Sequence, residues 1–137
     1  MKIKLIGKLK LFLLFSVTCF AMYGCSKSDG GSAPTEENLK VSLSSAAIET
    51  ALSNSFNFSV TIQSKMPTSG VTIKVDVKRE DNLTSVYNVQ ANSTFTSSNF
   101  TINPLPPGQI YCLASITVTS VNTPANIWTG SFRVLWK

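Results

Sequence analysis

The sequence predicts an all-β fold, an antiparallel β-sandwich of about seven strands, and three observations carry that prediction. From Leu39 onward apolar residues recur at every second position, turn-forming residues interrupt the pattern at short intervals, and no stretch sustains the 3.6-residue period of a helix. Alternation of this kind builds a sheet with one dry face and one wet face.

The elements follow in order. Leu39, Val41 and Leu43 alternate with Lys40 and Ser42 and make the first strand. Ala46–Leu52 reads as a bulged connection to the second. In SFNFSVTIQS, Phe56, Phe58, Val60 and Ile62 share one face, and Asn57, Ser59 and Thr61 the other. In GVTIKVDVKRE, Val71, Ile73, Val75 and Val77 oppose Thr72, Lys74, Asp76 and Lys78. Later strands are expected at Ser85–Gln90, Thr94–Ile102, Gln109–Ser120 and Ile127–Trp136. Between them lie the turn-formers Met66-Pro67-Thr68-Ser69-Gly70, Glu80-Asp81-Asn82, Pro104-Leu105-Pro106-Pro107-Gly108 and Asn122-Thr123-Pro124-Ala125-Asn126.

One stretch narrows the fold. Leu105-Pro106-Pro107-Gly108-Gln109-Ile110-Tyr111 resembles the tyrosine corner of immunoglobulin-like and fibronectin type III domains, with Leu105, Gly108 and Tyr111 in the corner positions. The resemblance implies that the Tyr111 hydroxyl pins a crossover between sheets, and that Phe56 or Phe58 stands where the family has an early buried Trp. The apolar alternates after Tyr111 are Cys112, Ala114, Ile116 and Val118. A bulge would bring Tyr111 into their register; otherwise it lies off the corner. In such a sandwich the chain enters at the end carrying Lys65–Gly70 and Val121–Asn126, and Glu80–Leu83 and Pro104–Gly108 lie at the other.

The N-terminus has a different character. MKIKLIGKLK places Lys2, Lys4, Lys8 and Lys10 ahead of the apolar run Leu11–Tyr23. A bilayer span needs roughly 20 residues. A shorter run behind a basic start has the order of a secretory signal peptide. It ends in Met22-Tyr23-Gly24-Cys25, which resembles the bacterial lipobox. The resemblance implies cleavage before Cys25, thioether attachment of a diacylglycerol to its sulfur and acylation of the new amino group. Several acyl chains together give a stable anchor, each buried CH₂ contributing about 0.8 kcal/mol. The expected organisation is therefore a signal peptide over 1–24, a lipidated Cys25 with a flexible Gly/Ser/Pro tether over 25–38, and one domain over 39–137. Lys27 and Asp29, just after Cys25, resemble the export signals of Bacteroidota surface lipoproteins, which implies an envelope location, most readily the outer membrane on its surface or periplasmic face.

Charge and cysteine usage follow the same division. The whole chain carries 12 basic and 7 acidic residues; without the four signal lysines the balance is 8 to 7, a net charge of +1. A nucleic-acid partner has no compositional support. Cys19 leaves with the signal and Cys25 takes lipid, so Cys112 has no disulfide partner and reads as a small core residue. The absence of histidine removes Ser-His-Asp and Cys-His catalysis and the commonest metal ligand. The acids Glu49, Asp76, Glu80 and Asp81 lack the spacing of paired catalytic carboxylates. No enzyme, metal or cofactor is expected.

What remains is binding. Trp128 either packs in the core with Trp136, Phe132 and Val134 or stands exposed as a stacking surface for a sugar. Tyr87 on a short edge strand and Met66 in the Lys65-Met66-Pro67 loop are further candidates. Two functions are therefore carried forward: a binding or adhesion module for a glycan or protein ligand, and a structural subunit of an envelope complex that docks by strand pairing. An exposed Trp128 favours the first, a long bare sheet edge the second. Replacing Cys25 by Ser is expected to move the protein from the detergent phase to the aqueous phase in Triton X-114 partition of cells that express the full chain.

Overall fold

The structure is a computed structural model, and it describes residues 35–137. The signal peptide and Cys25 lie outside those residues. Eight strands form two sheets: β1 (Val41–Leu43), β2 (Ile48–Ala51), β3 (Phe56–Ile62), β4 (Val71–Arg79), β5 (Ser85–Ser93), β6 (Ser97–Ile102), β7 (Cys112–Ser120) and β8 (Ile127–Trp136). The smaller sheet has the order β1-β3-β6 and the larger β2-β8-β7-β4-β5. All pairings are antiparallel except that of β2 with β8.

The alternating residues become the core. Phe58, Val60 and Ile62 of β3 and Phe100 and Ile102 of β6 are buried from one sheet. Val71, Ile73, Val75 and Val77 of β4, Cys112, Ala114, Ile116 and Val118 of β7, and Phe132 and Val134 of β8 are buried from the other. Four aromatics form a cluster that joins the layers. Phe58 stacks on Phe100 with ring centroids 5.6 Å apart and meets Phe132 edge-on at 5.0 Å. Phe56 adds a tilted contact to Phe132 at 5.7 Å. Such geometries set the positive edge of one ring against the negative face of the next, beyond the gain from burial.

β2 differs from the sequence expectation. Ala46–Leu52 holds a strand rather than a bulged connection, so the count is eight. Its own sequence has no clear alternation, since Ile48 is exposed and Ala51 buried. The strand is made by its neighbour: the free edge of β8 supplies backbone partners, and Arg133 N–H donates to Ala47 O at 2.9 Å and Lys137 N–H to Ala51 O at 3.1 Å. The chain thus leaves the smaller sheet after Leu43 and joins the larger one.

Two further boundaries move for local reasons. β7 begins at Cys112 rather than Gln109, because Gly108 (φ 93°) and Gln109 (φ 59°) are left-handed and extended pairing starts only after them. β5 runs on to Ser93, where the sequence suggested an end at Gln90, because every residue from Ala91 to Ser93 keeps a partner on β4.

Replacing Phe132 by Ala removes the only ring of the larger sheet in this cluster. The expected loss is about 3–5 kcal/mol of stability, read from the urea midpoint at unchanged slope.

Candidate functional site

Trp128 pairs across β7 with Val118, whose side chain is buried, so the indole has the inward parity. Its six-membered ring lies where a side chain at Gly130 would stand. It is half-buried against the core. Trp136 and Tyr87 are likewise half-buried against the core, Tyr87 opposite the inward Val77. Met66 packs on the core from its loop, next to buried Pro67.

Leu105 is buried, and its N–H donates to Asn54 O at 2.7 Å, tying the β6–β7 loop to the β2–β3 loop. β7 keeps an unbroken register with β4 and β8. Tyr111 therefore has the outward parity of exposed Leu113. Its ring lies under the Arg133 guanidinium, 4.3 Å from carbon to centroid, and its carbonyl accepts from Glu80 N–H at 2.9 Å. Arg133 in turn forms a two-pronged pair with Glu80, Nε donating to Oε1 at 2.6 Å and Nη2 to Oε2. The hydrogen bonds from Arg133 hold the Glu80 carboxyl below its ordinary range. Arg79 makes a similar pair with Asp81 in the same turn. Beside these groups an open hollow of about 210 Å³ is lined by Asp76, Lys78, Leu83 and Leu113. A second, shallower one of about 390 Å³ lies over Asn57, Ser59, Asn99 and Thr101 of the smaller sheet. Neither holds an unpaired buried charge or a cluster of potential metal ligands.

The feature that single residues did not reveal is a difference between the two flanks of the sandwich. On one flank the edges are β1 and β2, of 3 and 4 residues. Lys40 adjoins the first and Glu49 lies in the second. On the other flank the edges are β5 and β6, of 9 and 6 residues. From Ser85 to Ile102 the chain has no charged residue and no proline. Natural edges are usually blunted by shortness, lysine, proline or bulges. Here one irregularity, where the register steps past Val86, is the only such device along β5. With no strand beside β5 among the described residues, the inward Tyr87, Val89 and Ala91 remain partly open to solvent. Composition alone held this signal, in the run of uncharged residues, but only the strand order turns it into an edge.

The N-terminal segment is fastened to the domain. Glu36 accepts from Ser120 Oγ at 3.0 Å, Thr123 Oγ1 at 3.2 Å and Asn126 Nδ2 at 2.6 Å. Glu37 accepts from the Lys65 N–H at 3.1 Å, and Leu39 N–H donates to Asn126 Oδ1 at 2.9 Å. The last residues of the predicted tether thus meet both the Lys65–Gly70 and the Val121–Asn126 loops, the two that the resemblance places where the chain enters.

No protein-family model matches the chain, and no curated protein shows significant similarity to it.

The Ser120 hydroxyl, with Asn126 and Thr123, holds the Glu36 carboxyl below its ordinary value of 4.5, and the Lys65 N–H does the same for Glu37. A carboxyl depressed in the folded state contributes stability above its unfolded value and loses it as pH falls through the folded one. Thermal melts are therefore expected to be level above pH 5 and to decline below about pH 4.5. Glu36→Gln is expected to make that decline shallower.

Proposed function

We propose that this chain is a bacterial envelope lipoprotein, anchored through Cys25, whose sandwich is a non-catalytic module that binds a protein partner by strand pairing along β5. The observation that carries the reading is the nine-residue β5 edge, uncharged and free of proline, with its outer backbone groups unpaired among the described residues. An exposed edge is a template for an added strand: main-chain bonds supply affinity, and the alternate side chains supply selectivity. Trp128, half-buried over Gly130, gives no comparable support to a glycan ligand.

The finer fold reading belongs to the same proposal. Strands β1, β3 and β6 facing β8, β7, β4 and β5 follow the arrangement A-B-E against G-F-C-C′ of immunoglobulin-like and fibronectin type III domains, with β2 as a continuation of the first strand beside the last. Lipidation, the Bacteroidota envelope and the outer membrane rest on the N-terminal motifs.

Two measurements test the proposal in cells that express the full chain. A photo-crosslinking residue at Gln90, exposed on β5, is expected to give a discrete adduct with an envelope protein, and the same residue at Thr50 on β2 to give none. Equal labelling from both positions would remove strand pairing on β5. Protease shaving of intact cells assigns the leaflet: loss of the domain means surface display, and protection until lysis means the periplasmic face.

A further inference from the structure

The β5 edge is complementary to itself. Val89 is the middle residue of the nine from Ser85 to Ser93. Reversing the strand about Val89 sets Asn88 opposite Gln90 and Tyr87 opposite Ala91. Side chains alternate along a strand, so the members of each pair share a face. The register step past Val86 lies outside this stretch.

On the inner face the reversal gives a large residue a small partner. Tyr87, Val89 and Ala91 lie opposite Val77, Val75 and Ile73 of β4. They pack on the core but have no strand on their open side among the described residues. A reversed copy of β5 would bring Ala91 to Tyr87, Val89 to Val89 and Tyr87 to Ala91, at the roughly 5 Å separation of cross-strand neighbours. The partly open row would then be covered by apolar side chains that match it in size.

On the outer face the match is one of polarity. Across β4, Asn88 lies opposite Asp76 and Gln90 opposite Lys74. Asn88 Nδ2 donates to Asp76 Oδ1 at 3.2 Å, which leaves its own Oδ1 to accept. Across the seam a row would read Asp76, Asn88, then Gln90 and Lys74 of the second copy. In that order Gln90 Nε2 can donate to Asn88 Oδ1, and Gln90 Oε1 can accept from Lys74 Nζ. Each row therefore ends in one acid and one base. An axis moved by one residue, to Asn88 or to Gln90, would instead align Asp76 or Lys74 with its own copy.

We propose that the protein partner of β5 is a second copy of this chain, paired antiparallel across a two-fold axis at Val89. The inference rests on the strand-pairing reading above and names its partner. The axis runs perpendicular to the sheet, so the larger sheet continues through both copies and neither β5 remains an edge. Antiparallel copies carry their fastened N-terminal segments in opposite directions. Nine residues, Ser26–Pro34, separate Cys25 from Thr35 and span up to about 35 Å when extended. With the axis along the bilayer normal, both chains can reach one membrane.

The test uses the full chain in bacterial cells, carrying either of two epitope tags and expressed in pairs. One copy has Asn88→Cys and the other Gln90→Cys; both positions are exposed, and Cys112 is buried and does not compete. Directly opposite residues lie about 5 Å apart, within reach of a disulfide, whereas 88 with 88 or 90 with 90 is diagonal, about 7–8 Å apart. Mild oxidation is expected to give the mixed disulfide dimer several-fold more than either variant gives with itself. Equal yields from all three combinations mean chance collision and overturn the proposal. A maximum for 88 with 88 or 90 with 90 moves the axis and overturns it too. The photo-crosslinker at Gln90 separates the remaining outcomes. An adduct with a different protein, without the mixed disulfide dimer, overturns the second copy and leaves strand pairing on β5 standing. Absence of both the adduct and the mixed dimer overturns strand pairing on β5, and this inference with it.

Discussion

The edge-on contact of Phe58 with Phe132 is the constraint on which the rest of this fold depends. Each sheet alone would expose an apolar face, and the two faces are satisfied only by each other. The larger sheet brings small and medium residues to the interface, mainly Val, Ile and Ala. One ring from β8 reaches across and is received by Phe56 and Phe58 of the smaller sheet, with Phe100 stacked behind Phe58. A single large side chain set among rings leaves little freedom for the sheets to slide, because interiors are close-packed and tolerate small shifts poorly. The same strand explains Gly130. With a ring at 132 and an indole at 128 on one face, the position between them has no room for a side chain beyond the Trp128 ring.

The layered core leaves the flanks to be settled separately, and the chain treats them differently. Near its start it breaks one strand into two short pieces, β1 and β2, and places one on each sheet, so a single flank is covered by brief edges with charge at hand. At the opposite flank it passes from β5 to β6 through Thr94–Thr96, and both edges stay long. A further strand there would have buried Tyr87, Val89 and Ala91 fully. From Ser85 to Ile102 there is no charged side chain whose desolvation would be costly.

The ends of the sandwich are as unlike as its flanks. At one, Arg79, Glu80, Asp81 and Arg133 form paired charges around Tyr111 and Leu113. At the other, the loops are uncharged apart from Lys65, and the acids of the N-terminal segment are absorbed into hydrogen bonds. Glu36, through Ser120, Thr123 and Asn126, and Glu37, through the Lys65 N–H, act as a clasp that joins the segment to two loops at once. It fixes Glu36–Leu39 against the end of the sandwich that carries these two loops.

Much of the fold was legible in the sequence. Period-two alternation named the buried face of β3, β4, β7 and β8 residue by residue, because a side chain's face in a strand depends only on its parity. The inward parity of Trp128 and the solitary burial of Cys112 were readable on the same ground. The N-terminal motifs are likewise a matter of local order, and the reading of Cys25 rests on them alone. Tertiary structure decided what local order does not encode. β2 exists because β8 offers a parallel edge, not because Ile48–Ala51 has a strand pattern. Tyr111 lies beneath Arg133 because Gly108 and Gln109 turn the chain before β7 begins. Above all, the uncharged run Ser85–Ile102 looks like any soluble polar strand pair until strand order shows that, among the described residues, no strand lies beside it. Edges and ends are properties of which strands are neighbours, and neighbourhood is set by long-range burial rather than by the residues along any one strand.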